Sequence, residues 1–361
     1  QSTGSNTVQC INYTKADGTG VVSAGGGSVT NLLLNSQFAA ASRGTSFIST
    51  GDFPNNDDVV LIDQYYNLSD GNDIVDVTQQ AAVFTGMSHA IRLDVETASK
   101  KFGILQILEN RDCESIIGGT ASLSFTAKVN DNSAGRLDNI KAAVVSWSST
   151  KDSPTTDIIS TWNAEDTTPT LIANWTFENT PANLNVTTSE ARYTIENISI
   201  DTASAANIGI FIWSDGFTGT VTDTLEISGV QLETGATAND YSPVPYGIEL
   251  NRTGRYIQVL NIDAQGMNPG RANATTTALC TIKVPVLLRK RPTFIEGGSA
   301  GMSVMHATGI TAASSVSITN ISDGNDVHGV QAKSNNHTGL TDNAGVTVSF
   351  QGDYWLMSAE F

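Results

Sequence analysis

Hydrophobic and polar residues alternate along much of this chain with the two-residue period of a β-strand. The clearest stretch is residues 121–129, where Leu123, Phe125, Ala127 and Val129 fall on one face and serine, threonine and lysine fall on the other. A strand of this kind belongs to a sheet with one buried and one solvated face, which predicts antiparallel pairing.

Other strand candidates follow at short spacing. Residues 31–35 (NLLLN) and 59–66 (VVLIDQYY) predict early strands, and Ile140–Trp147 and Asn207–Trp213 are apolar on both faces. About ten candidates precede residue 235, and no long segment keeps the 3.6-residue period of a helix. Closely spaced strands without intervening helices predict an all-β fold, an antiparallel jelly-roll β-sandwich.

A connecting segment, residues 225–256, divides the chain. Val230 and Leu232 belong to a last strand, and Gly229 predicts a kink or bulge in it. Pro243 and Pro245 prevent further ladder pairing, and a short helical turn is expected after them. The predicted organisation is an N-terminal arm or linker (1–30), a jelly-roll domain (31–245) and a smaller C-terminal β domain (246–361).

The connecting segment contains a G-V-Q-L-E-x-G line, followed by Ala-Thr, a tyrosine, Pro-Tyr-Gly, Glu-Leu and Arg-Tyr. These residues are Gly229, Val230, Gln231, Leu232, Glu233, Gly235, Ala236, Thr237, Tyr241, Pro245, Tyr246, Gly247, Glu249, Leu250, Arg255 and Tyr256. Further matching stretches are 104–109, 118–129, 283–294 and 354–361. In this order the stretches resemble bacteriophage tail-fibre and appendage proteins, whose jelly-roll domain is similar to carbohydrate-binding modules.

The resemblance implies a subunit of a virion surface appendage, assembled in the host cytoplasm. It implies a homotrimer that contacts other virion proteins through the N-terminal arm and recognises host surface glycans. Apolar stretches at 279–288 and 354–361 are predicted to be completed across a three-fold axis. Two alternatives stay open, a purely structural decoration or collar protein without a ligand and an accessory module of a carbohydrate-active enzyme.

The net charge limits the classes of partner, and the cysteine spacing indicates the state of the thiols. The net charge is −17, with 36 acidic and 19 basic residues, which disfavours nucleic acid and anionic lipid as partners. No window approaches the roughly 20 apolar residues of a membrane span, so no membrane insertion is expected. Cys10, Cys113 and Cys280 lack any Cys-x-x-Cys spacing and are expected to be buried thiols.

Tryptophans provide the candidate sugar-binding residues, because aromatic faces stack on the C–H faces of pyranose rings. Trp147 and Trp213 end apolar strands and are expected in the core. Two other tryptophans flank a loop rich in hydrogen-bonding groups. The predicted carbohydrate-binding residues are Trp162, Asn163, Asp166 and Trp175.

Metal binding and catalysis have weaker signals. The SDGNDIVD stretch supplies oxygen ligands suited to calcium, although a plain Asp-Gly turn is the favoured interpretation. Its candidate ligands are Asp70, Asn72, Asp73 and Asp76. Similar carbohydrate-binding modules hold a structural calcium where this chain has Ala39 and Ser228, so no metal or other cofactor is predicted. The four histidines match no catalytic motif, and no catalytic residue or enzymatic activity is predicted.

Overall fold

Antiparallel β-sheets make up nearly all of the regular structure, as the hydrophobic alternation predicts. The computed structural model describes residues 31–361 apart from 132–134, 203, 217–218, 261–266, 298–300, 308, 313–314, 320–326 and 352–353. The predicted arm at 1–30, with Cys10, lies outside the described residues. No helix in the described part of the chain is long and apolar enough to cross a membrane.

The strands of the first block form a β-sandwich. In chain order they are β1 (Ser46–Phe47), β2 (Val59–Val60), β3 (Tyr66–Ser69), β4 (Val75–Ala81), β5 (His89–Val95), β6 (Phe102–Ile107), β7 (Thr120–Asn130), β8 (Ile140–Trp147), β9 (Ile159–Thr161), β10 (Thr170–Leu171), β11 (Trp175–Phe177), β12 (Ala191–Ser199), β13 (Asn207–Ser214) and β14 (Thr224–Thr234). The first sheet has the order β1-β4-β5-β14-β7-β12 and the second β11-β8-β13-β6-β3-β2. Strands β9 and β10 pair separately, and a short helix α1 (Asn110–Cys113) follows β6.

The second block begins with helix α2 (Tyr246–Thr253), where a helical turn is predicted. Its strands are β15 (Ile257–Leu260), β16 (Met267–Ala274), β17 (Thr277–Leu288), β18 (Thr293–Gly297), β19 (Gly301–His306), β20 (Gly309–Ala312), β21 (Ser315–Thr319), β22 (Val327–Asn335), β23 (Gly345–Gln351) and β24 (Tyr354–Ser358). They form a three-stranded sheet, β15-β24-β18, and a seven-stranded sheet, β20-β19-β23-β16-β17-β22-β21. Residues Asn31–Phe361 form one compact unit.

The main core lies between the two sheets of the sandwich. Leu123 and Phe125 of the first sheet and Ile210 and Ile212 of the second are fully buried in it, as the alternation predicts. A second cluster covers the outer face of the second sheet, with Phe211 and Trp213 at its centre. This explains why β8 and β13 are apolar on both faces: each face of these strands packs against hydrophobic residues.

The polar face of the first sheet is covered around Ser122 and Ser124, so the prediction of a wet face is wrong there, whereas Lys128 on the same face stays partly exposed. Ser122 and Ser124 on this face are fully buried. Arg192 donates to the Ser124 hydroxyl and to the Gly229 carbonyl, and its guanidinium lies 5.6 Å from the centre of the Tyr241 ring. Because the chain after β14 folds back across the sheet, hydrogen bonds replace water on this face.

Gly229 forms a β-bulge, as predicted. The β14–β7 register shifts between Ser228 and Gln231, and Gly229 has a φ of 58°. A Cβ atom at this position would lie 2.5 Å from Cε of Met87. The positive φ and the close neighbour both favour glycine.

Two early strand predictions are wrong in detail. Residues 31–35 form a bend rather than a strand, and Asn31 donates to the Val230 carbonyl at 2.8 Å while anchoring the chain beside β14. The 59–66 stretch is interrupted by a turn, because Gln64 adopts a φ of 77°. Only its two ends join β2 and β3. Apolar runs therefore marked buried segments here without specifying their hydrogen-bond partners.

The strands expected to be completed by a three-fold axis already have two neighbours each. β17 lies between β16 and β22, and β24 lies between β15 and β18. Trimer formation therefore does not need these strands as pairing edges. Cys113 and Cys280 are free and buried, as predicted, and burial raises the pKa of Cys113 to about 12.

Candidate functional site

Three of the tryptophans are core residues. Trp147 and Trp213 are buried, in agreement with the sequence prediction. Trp175 is 6% exposed, its ring centre lies 5.6 Å from that of Trp147, and its Nε1 donates to Thr155. The Trp175 ring therefore has no free face to offer a sugar.

Trp162 and its neighbours lie at the margin of the second sheet's outer face. The Trp162 ring is half-buried and its centre lies 6.0 Å from that of Phe211. Asn163 donates to the Thr168 carbonyl at 2.7 Å, which stabilises the loop. The Asp166 side chain is 80% exposed. A sugar-binding role for these three residues stays a prediction.

A row of residues across the second sheet connects Trp162 with a groove at the other side. Tyr66 is paired with Leu105, and Leu105 is paired with Phe211, on which Trp162 packs. Two strand spacings separate Tyr66 from Phe211, about 10 Å in total. Aromatic rings thus occupy both ends of one row on this face.

The groove, here called the junction groove, lies where the sandwich meets the C-terminal block and has a volume of about 400 Å³. Its sandwich wall is lined by Arg43, Phe53, Asp58, Val59, Val60, Tyr66 and Thr156. Its other wall is lined by Lys290, Thr293, Ile295, Ser358, Glu360 and Phe361. Three aromatic rings and several hydrogen-bonding side chains therefore share one concave surface, a composition typical of small-molecule sites.

Two polar groups of the sandwich wall lack an internal partner. The Tyr66 side chain is buried, and its hydroxyl forms no hydrogen bond; Oδ1 of Asp58 is also without a partner. Burial, together with the carboxylates of Asp157 and Asp57, raises the pKa of Asp58 to about 6 against a hydrogen bond from Thr156. Buried polar groups without partners are uncommon, and at a concave surface they indicate a place for a ligand.

The floor of the groove is held by a buried ion pair. The Arg43 guanidinium donates to both carboxylate oxygens of Glu360, and it also reaches Ser358 at 3.3 Å. Arg43 lies 5.9 Å from the centre of the Phe53 ring. Because these side chains bind one another, they shape the groove rather than offering free groups to a ligand.

The C-terminal wall presents a half-buried cation. Burial, reinforced by the neighbouring Arg289 and only partly opposed by Glu360, lowers the pKa of Lys290 to about 8. Arg289 itself lies over the Phe361 ring at 3.9 Å and donates to the carbonyls of Ala359 and Glu360. Arg289 thereby fixes the last residues of the wall, and Lys290 lines the groove.

The sequence prediction missed the junction groove. One signal was present: Arg289, Lys290 and Arg291 are three successive basic residues in a chain that is otherwise acidic. The other wall has no comparable signal, because Tyr66 sits within an apolar run and looks like a core residue. The motif residues of the connecting segment serve structural contacts instead, such as the Arg255–Glu109 ion pair at 2.7 Å.

The predicted calcium ligands lie in the turn between β3 and β4 and at the start of β4, and they already have protein partners. Asp70 pairs with Lys100 at 3.0 Å, and the Asn72 side chain accepts the backbone N–H of Asp57 at 3.2 Å. In the described part of the chain, no three His, Cys, Asp or Glu residues are grouped in a way that could hold a metal ion.

The buried side-chain amide of Asn55 lies between the other two candidate calcium ligands, Asp73 and Asp76. Nδ2 of Asn55 donates to Asp73 at 3.0 Å and to Asp76 at 2.9 Å, and Asn55 is fully buried. Burial and nearby carboxylates, foremost Glu96, raise the pKa of Asp76 to about 6. The Asn55 side-chain N–H groups therefore lie between the two carboxylates, at the position that a bound cation would occupy.

We expect removal of divalent cations to leave the stability unchanged. Because Asn55 already bridges Asp73 and Asp76, the thermal unfolding midpoint should be the same in EDTA as in millimolar calcium. Differential scanning calorimetry in the two buffers measures this. A rise of several degrees on adding calcium would show that the turn, or another site, binds the ion.

No protein-family model matches the sequence, and no curated protein matches it. A sugar-binding protein structure from Bacteroides thetaiotaomicron, described as putative, is 14% identical with a TM-score of 0.34, covering 56% of this chain and 99% of its own.

Two further solved structures are similar in part. The enzymatically active domain of tailspike protein 4 from bacteriophage CBA120 is 16% identical with a TM-score of 0.30, covering 51% of this chain; the match spans only 21% of that structure. A CBM22 tandem domain from Paenibacillus barcinonensis is 11% identical with a TM-score of 0.28, covering 82% of this chain and 93% of its own. At such scores none of these structures identifies a ligand for this chain.

Proposed function

We propose that this protein is a glycan-binding, non-enzymatic subunit of a virion surface appendage, a tail or capsid fibre. The observation that carries glycan binding is the junction groove, where Phe53, Tyr66 and Phe361 line one concave surface together with unpartnered polar groups. A pyranose ring offers the matching chemistry, since it has apolar C–H faces and a rim of hydroxyl groups.

Each unpartnered group has a role in this binding mode. The Tyr66 hydroxyl can donate to or accept from a sugar hydroxyl, and the Asp58 carboxylate can accept from one. Thr156 lies in the same wall and adds a hydroxyl. An open groove of this size binds a single saccharide weakly. Several linked copies of the protein would therefore supply the avidity needed to hold a particle.

The virion role rests on the sequence resemblance. The G-V-Q-L-E-x-G line and the stretches in matching order support an appendage protein displayed on the virion surface. In this proposal residues 1–30 contact other virion proteins. The acidic net charge of −17 supports a partner other than nucleic acid.

Two other functions predict different results. A structural decoration or collar protein would bind no member of a glycan array. An accessory module of a carbohydrate-active enzyme would bind the polysaccharide that its catalytic partner degrades. If the chain itself were an enzyme, incubation with the bound glycan would release reducing sugar.

Replacing Tyr66 by phenylalanine should separate binding from stability. The variant loses one hydroxyl that has no internal partner, so the free energy of unfolding should stay the same or rise slightly. Affinity for the glycan identified on the array should fall about tenfold, because the sugar hydroxyl that paired with Tyr66 loses its partner. Titration calorimetry and urea unfolding measure the two effects.

A matched control is Tyr193→Phe, the same change in the first sheet, outside the junction groove. Its hydroxyl accepts the Thr187 backbone N–H at 3.3 Å, so the variant should lose a little stability and keep full affinity. If Tyr66→Phe bound the glycan as tightly as the wild type, the sugar site would lie elsewhere, and Trp162→Ala would be the next variant to measure.

We further propose a homotrimer, on the basis of the resemblance and of the avidity argument. Multi-angle light scattering at micromolar concentration should give three times the 38.0 kDa mass of one chain. Repeating the measurement in 0.5 M salt controls for charge repulsion between acidic subunits. A mass of 38.0 kDa in both buffers would reject the trimer.

A further inference from the structure

We propose that the glycan bound in the junction groove carries an anionic group, which pairs with the Lys290 ammonium group. This inference rests on the proposed function, because it names the class of saccharide for the same groove. Lys290 lines the groove from the C-terminal wall, a few residues ahead of β18.

Of the carboxylates at and behind the groove, Glu360 and Asp63 are already engaged, whereas Asp58 on the sandwich wall keeps one oxygen without a partner. Glu360 accepts from both ends of the Arg43 guanidinium and from the Ser358 hydroxyl at 3.0 Å. Asp63, behind Arg43, accepts from the hydroxyl and backbone N–H of Ser42. Neither of these two carboxylates is therefore free to pair with Lys290 alone.

Among the described residues, Glu360 is the carboxylate whose charge acts on Lys290, and Glu360 is already paired with Arg43. Lys290 is half-buried, and Arg289 beside it has the same charge. A partly desolvated cation without a counterion of its own is unfavourable in the free protein. A bound anion would remove this cost, so it would bind here more tightly than at an exposed lysine.

The acidity of the chain makes this lysine distinctive. With 36 acidic and 19 basic residues, most of the surface repels anions, and salt screens that repulsion beyond about 8 Å. The anion must therefore be brought to the groove by other contacts. A saccharide does this, because its ring can pack on Phe361 and Phe53 while a single carboxylate or sulfate reaches Lys290.

The neutral part of the ligand and its charge are recognised by different walls. Tyr66 and Asp58 belong to the sandwich and suit hydroxyl groups, whereas Lys290 belongs to the C-terminal block. A ligand with a single anionic group next to hydroxyls fits both walls at once. Saccharides with several adjacent charges would place a second anion near Glu360 and be disfavoured.

The test uses saccharides that share one core: lactose, 3′-sialyllactose and 3′-sulfolactose, with galacturonate and its methyl ester as a second set. Titration calorimetry on the full chain should show at least one anionic member binding about tenfold tighter than its neutral partner. Lys290→Gln should abolish this difference and change the affinity for the neutral sugar less than about twofold. The sialylated, galacturonate and sulfated arms distinguish a carboxylate from a sulfate.

A matched control is Lys333→Gln, which removes a similarly half-buried lysine from β22 and should keep the preference for the anion. If neutral and anionic saccharides bound the wild type equally, this inference would fail while the glycan-binding proposal stood. A preference that survived Lys290→Gln would also overturn it. Absence of binding to every saccharide, on this panel and on a broad array, would reject both proposals.

Discussion

Replacing Asp215 by alanine should lower the free energy of unfolding by about 3–5 kcal/mol, the cost of removing one partner from a buried ion pair. The Asp215 carboxylate lies between the ammonium groups of Lys101 and Lys141. The side chains of Asp215 and Lys101 are fully buried, and that of Lys141 is 6% exposed. Alanine would leave two buried positive charges facing each other without the carboxylate between them.

The pH dependence of this effect has a defined sign. Burial by itself raises the pKa of Asp215, but the hydrogen bonds from Lys101 and Lys141 outweigh it, and the pKa lies below its usual value. A carboxyl whose folded pKa is depressed stabilises the protein above its unfolded pKa, and the contribution is lost as the pH falls through the folded value. The difference between wild type and variant should therefore be largest near neutral pH and shrink below about pH 4.

Urea unfolding at pH 7 and pH 3.5 measures both effects. Asp166→Ala is the matched control: its carboxylate lies 3.7 Å from the same Lys141 but is 80% exposed, so the change should cost at most about 1 kcal/mol. The triple variant Asp215→Leu, Lys101→Met, Lys141→Met removes all three charges and should recover most of the lost stability. A cost of less than about 1 kcal/mol for Asp215→Ala would contradict burial of this cluster.

The second large effect is expected for Arg43→Met, at the junction of the two blocks. Arg43 pairs with Glu360 and lies 3.9 Å from Asp63, and all three side chains are buried. The substitution leaves two buried carboxylates without a cation, at a cost of about 3–5 kcal/mol. Since Glu360 belongs to the last residues of the C-terminal wall, that wall should also become less ordered.

The loss for Arg43→Met should grow as the pH rises. Burial already raises the pKa of Asp63 to about 6, although Ser42 and Arg43 act against it. Without Arg43 this pKa rises further, and a carboxyl with a raised folded pKa binds a proton more readily in the folded state. Stability of the variant should therefore fall as the pH increases from about 5 to 8.

Chemical unfolding across this pH range tests the prediction, with Lys100→Met as control. Lys100 also pairs with a carboxylate, that of Asp70, but both side chains are more than a third exposed, so its loss should cost at most about 1 kcal/mol. The double variant Arg43→Met, Glu360→Leu should be more stable than Arg43→Met alone, because one unpaired charge is gone. Equal stability of Arg43→Met and the wild type would show that this pair does not join the blocks.

Local pattern was a good guide where a residue's role depends on its own strand. The inward direction of Leu123 and Phe125 and the core position of Trp147 follow from a two-residue period that every strand obeys. The Gly229 bulge follows from a residue that tolerates positive φ. These features involve neighbours along the chain, which a sequence displays directly.

The outer faces of both sheets were harder to predict. Ser124 has the polarity of a solvated position, yet Arg192 and Tyr241 cover it. Trp175 has the flanking residues of a binding loop, yet it packs on Trp147. Whether an outer face meets water depends on which later segment folds over it, and that information is not contained in the periodicity of the strand.

The amino-acid sequence by itself determined the all-β class, the antiparallel pairing, the burial of Cys113 and Cys280 and the bulge at Gly229, because each depends on residue type and short-range spacing. The junction groove was decided only by the tertiary structure. Its ion pair joins Arg43 and Glu360, which are 317 positions apart, and its unpartnered Tyr66 hydroxyl is recognisable only when its surroundings are known. Burial and charge compensation arise from contacts between distant segments, and those contacts exist only once the whole chain has packed.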